Sequence, residues 1–388
     1  MRIVTRTVFI LSLVSLFADI ASELLYPVLP LYLQEIGFAI IWIGLLEGLA
    51  EFTAGISKGY FGKLSDQRGV RLPFVKIGYF LSAISKPMMA IFSYPLWILF
   101  ARTSDRLGKG IRTAARDALL SQQSTKETKA RVFGFHRGMD TVGAAIGPAL
   151  ALLYLYFRPG DYKNIFIIAF IPGIISVLLI FLLKEKKQPV STLGKGNFFS
   201  FFRYWKFATP QYRKLTIGLL LFALFNSSDF FLLLKTKEAT GDDVLTIGAY
   251  IFYNLVYALA SYPLGSLADR LSFKKVFLLG LILFSIVYAG FSFNPSVEMI
   301  FVLFFIYGIY AAATEGVVKA WITNMAHSEN TATAIGFYTS CQSVCAMMAS
   351  IIAGILWAAY GSNLMFILTS IACCTIFFYF LLKIKREY

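Results

Sequence analysis

Charged side chains occur inside the hydrophobic segments of this 388-residue chain, most densely between Trp97 and Leu120. At about 100° per residue, the six charges of this stretch share one face of a helix. They are Arg102, Asp105, Arg106, Lys109, Arg112 and Arg116. An ionisable group at bilayer depth costs at least ~2.5–3.5 kcal/mol on insertion scales, so such groups mark functional positions. The stripe therefore predicts a polar cavity inside a membrane protein, as a transport pathway requires.

Acidic residues also occur inside three other hydrophobic segments. Asp19 and Glu23 are four residues apart in the first segment and share a helix face, and Glu51 lies deep in the second. A carboxylate that alternates between an arginine partner and a drier environment can load and release a proton. We therefore take Asp19, Glu23, Glu51 and Asp140 as candidate proton-coupling residues. The alternative is static ion pairs that hold the helices together, although buried pairs seldom exceed apolar packing in stability.

A second set of polar residues is a candidate for substrate contact and charge pairing. Its members are Arg102, Asp105, Arg106, Lys109, His136, Tyr338 and Gln342. Three further cations have simpler expected roles. Arg112 and Arg116 stand in the last turns of their segment, from which they can snorkel to the interface, so we expect a gate or topology role rather than substrate contact. Lys86 lies near the middle of the third segment, where an acid of the second segment is a candidate partner.

Composition excludes several classes of protein. The chain is 58% hydrophobic and only 15% charged, against about 25% charged in soluble domains. Its net charge of +15 comes from basic residues clustered between apolar runs, which indicates positive-inside topology rather than nucleic-acid binding. With two histidines, no metal-ligand cluster and no phosphate-binding glycine loop, we expect neither an enzyme nor a metal site. We expect no cofactor, and energy from a proton gradient.

Hydropathy predicts an all-α membrane protein with twelve transmembrane helices, each near the ~20 residues that a bilayer requires. Placing both termini in the cytoplasm assigns the basic loops to the inner side and the sparsely charged loops to the outer side. This pattern predicts a multi-pass protein of the bacterial cytoplasmic (inner) membrane, and we expect a monomer. The predicted segments are 7–33, 41–61, 73–93, 97–120, 131–156, 164–184, 215–235, 245–266, 274–293, 299–322, 332–358 and 363–382.

The longest polar break, 185–214, divides the chain into predicted six-helix halves of residues 1–184 and 215–388. Within this cytoplasmic linker, residues 197–206 are aromatic and basic together, as in a segment that lies on an anionic leaflet.

The two halves of the sequence also repeat each other. Residues 62–71 match 265–274 at an offset of 203, and 134–140 match 336–342 at an offset of 202. Two such repeats predict a duplicated 6+6 transporter.

On these residues the chain resembles the major facilitator superfamily over essentially its whole length. Gly62, Asp66, Gly69 and Arg71 are similar to its signature G-x-L-x-D-x-x-G-x-R between the second and third helices. A carboxylate in this position can cap a neighbouring helix N-terminus. The resemblance implies that Asp66 and Arg71 latch a cytoplasmic gate. Asp269 and Lys274 would form its weaker counterpart in the second half.

Two further motifs refine the resemblance. Gly134, Gly143, Gly147 and Pro148 resemble the fifth-helix motif of drug–proton antiporters, in which glycines permit close helix packing and the proline bends the helix. The family often has a glycine pair where Ala151 and Leu152 stand. The fourth helix resembles the motif R-x-x-Q-G-x-G, with Arg102 and Gly108 in place but Asp105 and Arg106 substituted. These added charges separate the chain from typical drug-efflux members.

Together these patterns predict a proton-coupled secondary transporter that moves a small organic solute by alternating access, with efflux by antiport. The alternative is a proton symporter or facilitator that imports a charged metabolite, anionic by the excess of arginine and lysine, or a metal chelate. A membrane receptor would need a soluble signalling domain, which the sequence does not contain. The expected partners are therefore a small-molecule substrate, protons and the lipid bilayer.

Overall fold

The computed structural model describes residues 4–26, 28–38, 40–185, 187, 190, 197–293 and 295–384. Within these ranges the chain is helical and contains no β-strand, and short 3₁₀ helices occur at Phe198–Arg203 and Ser328–Asn330. The α-helices are α1 Arg6–Glu23, α2 Val28–Glu35, α3 Ile40–Arg68, α4 Leu72–Ile91, α5 Pro95–Gln122, α6 Lys129–Phe157, α7 Tyr162–Ile180, α8 Tyr204–Phe207, α9 Pro210–Ala223, α10 Phe230–Thr240, α11 Asp243–Leu271, α12 Phe273–Phe291, α13 Val297–Met325, α14 Thr331–Tyr360 and α15 Ser362–Lys383.

Eight helical segments of the described chain are long and apolar enough to cross a membrane. They are 72–91, 129–157, 162–180, 245–271, 273–291, 297–325, 328–360 and 362–383. The other four predicted segments are not among these eight, for reasons that the structure shows. The helices α3 and α5 have the length, at 29 and 28 residues, but carry charges along it. The first predicted segment is divided into α1 and α2, and the seventh into α9 and α10.

The break between α9 and α10 has a local cause. Polar residues run from Asn226 to Asp229, between the end of α9 at Ala223 and the start of α10 at Phe230. Serine, asparagine and aspartate side chains compete with the helix for backbone hydrogen bonds. Here the Ser228 hydroxyl accepts the backbone N–H of Phe230 at 3.3 Å, so a side chain satisfies an N–H at the start of the new helix.

The described chain forms two compact units that differ from the sequential halves in two segments. Unit 1 contains residues 1–123, 139–207 and 326–340. Unit 2 contains residues 124–138, 208–325 and 341–388. The start of α6 therefore belongs to unit 2 and the start of α14 to unit 1. The division predicted at 185–214 follows chain order, so it assigns the start of α6 to the first half and the start of α14 to the second half.

Each unit has its own core. In unit 1, α4 packs on α5 and α7, and α5 also packs on α3. In unit 2, α13 packs on α11 and α12, and aromatic rings fill the interior. The ring centroids of Phe277 and Phe380 are 4.7 Å apart, for example. Large apolar side chains such as Leu259 and Leu382 remain more than three-quarters exposed, which suits surfaces that face lipid.

Candidate functional site

The charged face of α5 is buried in unit 1, where it binds α4. The Asp105 carboxylate lies 2.6 Å from the ammonium group of Lys86 and 3.4 Å from the guanidinium of Arg102. It also accepts a hydrogen bond from the Ser82 hydroxyl at 2.7 Å. Lys86 thus pairs with α5, and the candidate partner in the second predicted segment was wrong. The sequence places Lys86 near mid-membrane, but it does not show which helix packs against Lys86.

Arg112 and Arg116 are buried, and the expectation that they snorkel to the interface was wrong as well. Arg112 donates to the Ser82 hydroxyl at 2.7 Å, and its guanidinium lies 4.3 Å from the Tyr79 ring centre. Arg116 donates to the Ser15 hydroxyl at 2.8 Å and pairs with Asp117 at 3.0 Å. Because α1 and α4 both supply hydroxyl groups along this face, the guanidinium groups are satisfied without reaching the interface.

A close approach of α4 and α5 fixes this network. A Cβ atom on Gly108 would lie 2.6 Å from the carbonyl oxygen of Gly78 and 3.0 Å from the nitrogen of Ser82. Only glycine leaves room for backbone atoms at this separation. This explains the glycine that the fourth-helix motif requires at Gly108. It also explains how the short Ser82 side chain reaches Asp105.

Glu51 and Arg106 form a second pair, between α3 and α5. Their charged groups are 3.1 Å apart, and the Glu51 side chain is 54% exposed while that of Arg106 is 12% exposed. Lys109 interacts electrostatically with Glu51 and also with Asp19 and Glu23 of α1. The partly exposed part of the α5 stripe therefore faces all three of the acids predicted on the first two hydrophobic segments.

The central feature of the site is a pair of neighbouring acids. The Asp19 carboxyl of α1 and the Asp140 carboxyl of α6 are near enough in unit 1 to interact with each other. Two neighbouring carboxylates repel each other when both are ionised, and a proton on one of them removes that repulsion. Two carboxylates that share a site favour this singly protonated state. The pair can thus hold one exchangeable proton beside Lys109.

The glycine row of α6 brings these acids together. A Cβ atom on Gly143 would lie 2.5 Å from the carbonyl oxygen of Leu16 and 3.1 Å from the Cβ of Asp19. A Cβ atom on Gly147 would lie 2.9 Å from the Cβ of Glu23. Two of the three glycines in the antiporter-type motif, Gly143 and Gly147, therefore lie directly against the two acids of α1. Pro148 follows within the same continuous helix.

The residues of the predicted gate are in contact in unit 1. Asp66 pairs with Arg71 at 2.8 Å and accepts the backbone N–H of Thr333 at 2.7 Å, near the start of α14. A Cβ atom on Gly62 would lie 2.5 Å from the carbonyl oxygen of Ala332. Gly69 ends α3 with φ +63°, a left-handed conformation that favours glycine. All four residues of the signature thus have a structural reason for their type.

The counterpart motif in unit 2 is arranged in the same way but with different partners. Asp269 accepts the backbone N–H of Ala130 at 2.9 Å and that of Arg131 at 3.0 Å, so it caps the start of α6. The Arg131 side chain also pairs with Asp269, at 3.0 Å. Lys274, in contrast, donates to the carbonyl oxygens of Leu381 and Ile384 at the end of α15. Each motif therefore uses its aspartate to cap a helix from the opposite half of the chain.

The remaining candidates for substrate contact lie on α6 and α14. His136 belongs to unit 2, and Asp140, one turn later, belongs to unit 1. Tyr338 belongs to unit 1 and Gln342 to unit 2. His136, Asp140 and Tyr338 are all buried. Gly134, the first glycine of the α6 row, lies against Ser261 and Gly265 of α11.

Sequence reasoning missed a polar network in unit 2. The Asp229 carboxylate accepts hydrogen bonds from the hydroxyls of Tyr307, at 2.6 Å, and Tyr253, at 3.3 Å. Arg137 of α6 donates to the Tyr257 hydroxyl at 2.6 Å. Two features of the sequence could have indicated this network. They are the polar break at Asn226–Asp229 in an apolar segment and the tyrosines four residues apart on α11, Tyr253 and Tyr257. Among the described residues, no group of three or more His, Cys, Asp or Glu could hold a metal ion.

Spanning helices that bury paired charges are typical of a multi-pass membrane transporter rather than an enzyme. The family model described as Major Facilitator Superfamily matches residues 11–253 and 236–388, and the chain belongs to that superfamily. Its fold of two six-helix bundles confirms the fold class predicted from the sequence.

Three relatives illustrate the similarity. The uncharacterized MFS-type transporter MJ1317 of Methanocaldococcus jannaschii is 33% identical over 363 residues, 92% of this chain and 89% of that protein. The multi-drug resistance efflux pump PmrA homolog of Lactococcus lactis is 23% identical over 87% of this chain and 85% of its own length. The crystal structure of the human organic anion transporter MFSD10 (TETRAN) matches with a TM-score of 0.82 at 16% identity, over 97% of this chain and 99% of that one.

Proposed function

We propose that this protein is a proton-coupled secondary active transporter that exports a small organic solute across the cytoplasmic membrane by antiport. The observation that carries the proposal is the close packing of α1 on α6, which brings Asp19 near Asp140 and so provides a place for one transported proton. The drug-efflux relative, similar over 87% of this chain, supports the export direction. Both termini would lie in the cytoplasm.

Loss of the shared proton would leave two carboxylates side by side next to Lys109. Their repulsion opposes the close packing of α1 on α6 that Gly143 and Gly147 permit. Protonation would restore that packing. A ligand or proton that favours one arrangement shifts the population of the two, which is the requirement for alternating access.

The gate in this mechanism would be the contact of Asp66 and Arg71 with the start of α14. A capping carboxylate satisfies orphan N–H groups and opposes the partial positive charge of a helix N-terminus. Opening of the cytoplasmic side would require Asp66 to give up its two bonds to Thr333. The equivalent bonds of Asp269 to α6 would be released in the same step.

The test is transport by purified protein in proteoliposomes, with ethidium as the probe and an imposed pH difference as the driving force. Asp19→Asn and Asp140→Asn should each abolish gradient-driven ethidium movement, since an amide cannot exchange the proton. Downhill movement without a pH difference should persist. Glu298→Gln, an exposed change at the start of α13, is the matched control. Full coupling in both Asp19→Asn and Asp140→Asn would refute proton antiport at this site.

A second function has its own observation, the cation excess on α5. This helix carries Arg102, Arg106, Lys109, Arg112 and Arg116 against the acids Asp105 and Asp117. Arg102, Arg112 and Arg116 are buried, but the partly exposed Arg106 and Lys109 can attract anions, which suits a symporter or facilitator that imports an anionic metabolite or a metal chelate. The direction of proton movement separates the two functions. Solute uptake would acidify the proteoliposome lumen in symport and alkalinise it in antiport.

A further inference from the structure

The linker segment Asn197–Phe207 has two unlike faces, and the first is docked on unit 1. The Phe201 side chain is only 1% exposed. It fills a notch at Gly59 of α3, where an added Cβ would lie 2.5 Å from the ring. Nearby, the Lys63 ammonium donates to the Ser200 hydroxyl at 2.8 Å. The segment is therefore fixed against α3 by both apolar and polar contacts.

The docked face also covers the place where α3 touches α14. The Ser340 hydroxyl donates to the Gly55 carbonyl at 2.7 Å and accepts the Gly59 N–H at 2.9 Å. Beside this bridge, the Phe337 ring of α14 stacks on Trp205, with centroids 5.7 Å apart. The linker thus contacts both partners of one helix–helix interface.

Tyr204 extends the docked face toward Asp66. Burial, followed by the Asp66 carboxylate, raises the pKa of Tyr204. Its hydroxyl is therefore neutral at physiological pH, and the linker adds no further negative charge beside Asp66.

The second face is exposed and of a different chemistry. Phe199 is 59% exposed and Phe207 61% exposed, and Arg203 and Lys206 are exposed between them. From Lys186 to Lys214 the sequence contains seven lysines and arginines and no acid. Aromatic rings that enter the headgroup region, together with basic side chains, are the combination that binds an anionic leaflet. The basic charge and the exposed aromatic area of this face both favour an anionic lipid as its ligand.

We propose that the exposed face of Asn197–Phe207 is a binding surface for anionic phospholipid, and that lipid bound there stabilises the contact between α3 and α14. The docked face transmits the effect, since the same eleven-residue segment presents Phe201 to α3 and Trp205 to α14. The proposal is independent of proton coupling and of the substrate.

The binding test uses the purified full chain in detergent, titrated with dioctanoyl-phosphatidylglycerol and, as the zwitterionic comparison, dioctanoyl-phosphatidylcholine. The thermal midpoint should rise with the anionic lipid and not with the other. Arg203→Gln/Lys206→Gln should weaken the apparent affinity about thirty-fold, since each basic residue near an anionic surface contributes about a factor of five. Lys163→Gln/Lys237→Gln removes two exposed charges elsewhere and should leave the affinity unchanged. Equal shifts with both lipids, equal losses in both double variants, or self-association in place of lipid binding would overturn the proposal.

The coupling test is hydrogen–deuterium exchange of the same protein in nanodiscs with and without phosphatidylglycerol. The anionic lipid should slow exchange in residues 55–63 and 331–340. Phe201→Ala keeps the exposed face but removes the contact with Gly59, so the lipid should still bind and the protection should be lost. Lipid binding without slower exchange in the unaltered protein would overturn the stabilising role. Neither measurement involves transport, so failure here is distinguishable from failure of the antiport proposal.

Discussion

Asp66 and Thr333 are 267 positions apart in the chain, yet the Asp66 carboxylate accepts both the backbone N–H and the side-chain hydroxyl of Thr333, at 2.7 and 2.9 Å. Asp66 is also 2.8 Å from the guanidinium of Arg71 and is almost fully buried. One carboxylate therefore neutralises an arginine of its own motif and caps a helix from the other half of the chain.

Asp66→Asn should destabilise the protein by about 1.5–3 kcal/mol, the usual contribution of a hydrogen bond to a charged group. Thr333→Val removes only the hydroxyl bond and should cost less. The free energies of unfolding of both single variants and the double variant, measured by denaturant titration in micelles, form a double-mutant cycle. Strictly additive effects would contradict a direct bond, because residues in contact couple by at least ~0.5 kcal/mol.

Gly143→Ala should destabilise the protein by about 1–3 kcal/mol, the usual cost of overpacking. The new methyl would collide with the carbonyl oxygen of Leu16, and a backbone atom in a helix cannot withdraw. Gly248→Ala is the control, since the space around Gly248 is open to 4 Å and alanine favours the helix. Thermal unfolding followed by intrinsic fluorescence distinguishes the two. Equal midpoints would show that α1 and α6 tolerate a wider separation.

Lys86→Gln should lower stability by about 3–5 kcal/mol, because it leaves Asp105 buried with only part of its counter-charge. Lys86→Gln/Asp105→Asn removes both charges and should recover part of this loss. The comparison uses the thermal midpoint and the yield of monodisperse protein. A double variant less stable than Lys86→Gln would contradict a direct pair, and the exposed change Lys163→Gln provides the baseline.

Tyr307→Phe should lower stability by about 1.5–3 kcal/mol, since the Asp229 carboxylate loses its shorter hydrogen bond. Tyr253→Phe removes the longer bond, at 3.3 Å, and should have the smaller effect. Unfolding midpoints of the two variants rank these contributions. The reverse order would show that Tyr253 is the principal partner of Asp229.

Much of the fold follows from the sequence, since hydropathy and the two repeats depend on local patterns. The break at Asn226–Asp229 and the capping role of Asp66 also follow from residue types with short-range preferences. Side-chain partners are different. Helical periodicity shows that Lys86 and Arg112 lie on particular faces, but the neighbouring helix decides whether such a group finds a carboxylate, a hydroxyl or the interface.

In the candidate site, too, the sequence predicts which residues are polar and buried but not which of them meet. Asp19 and Asp140 were both proton-coupling candidates from their positions in apolar segments, yet their proximity depends on how α1 packs on α6, 121 positions away in the chain. Glycine spacing on α6 indicated a close helix contact. It did not indicate that Asp19 and Glu23 would be the residues in that contact.

The cap on α14 also constrains synthesis of the protein. At about 5–20 residues per second, Thr333 leaves the ribosome on the order of 10–50 s after Asp66. During that interval the carboxylate has Arg71 from its own motif, while the start of α14 has not yet been made. The newly inserted amino-terminal helices therefore lack the two bonds from Thr333 to Asp66 until α14 has been synthesised.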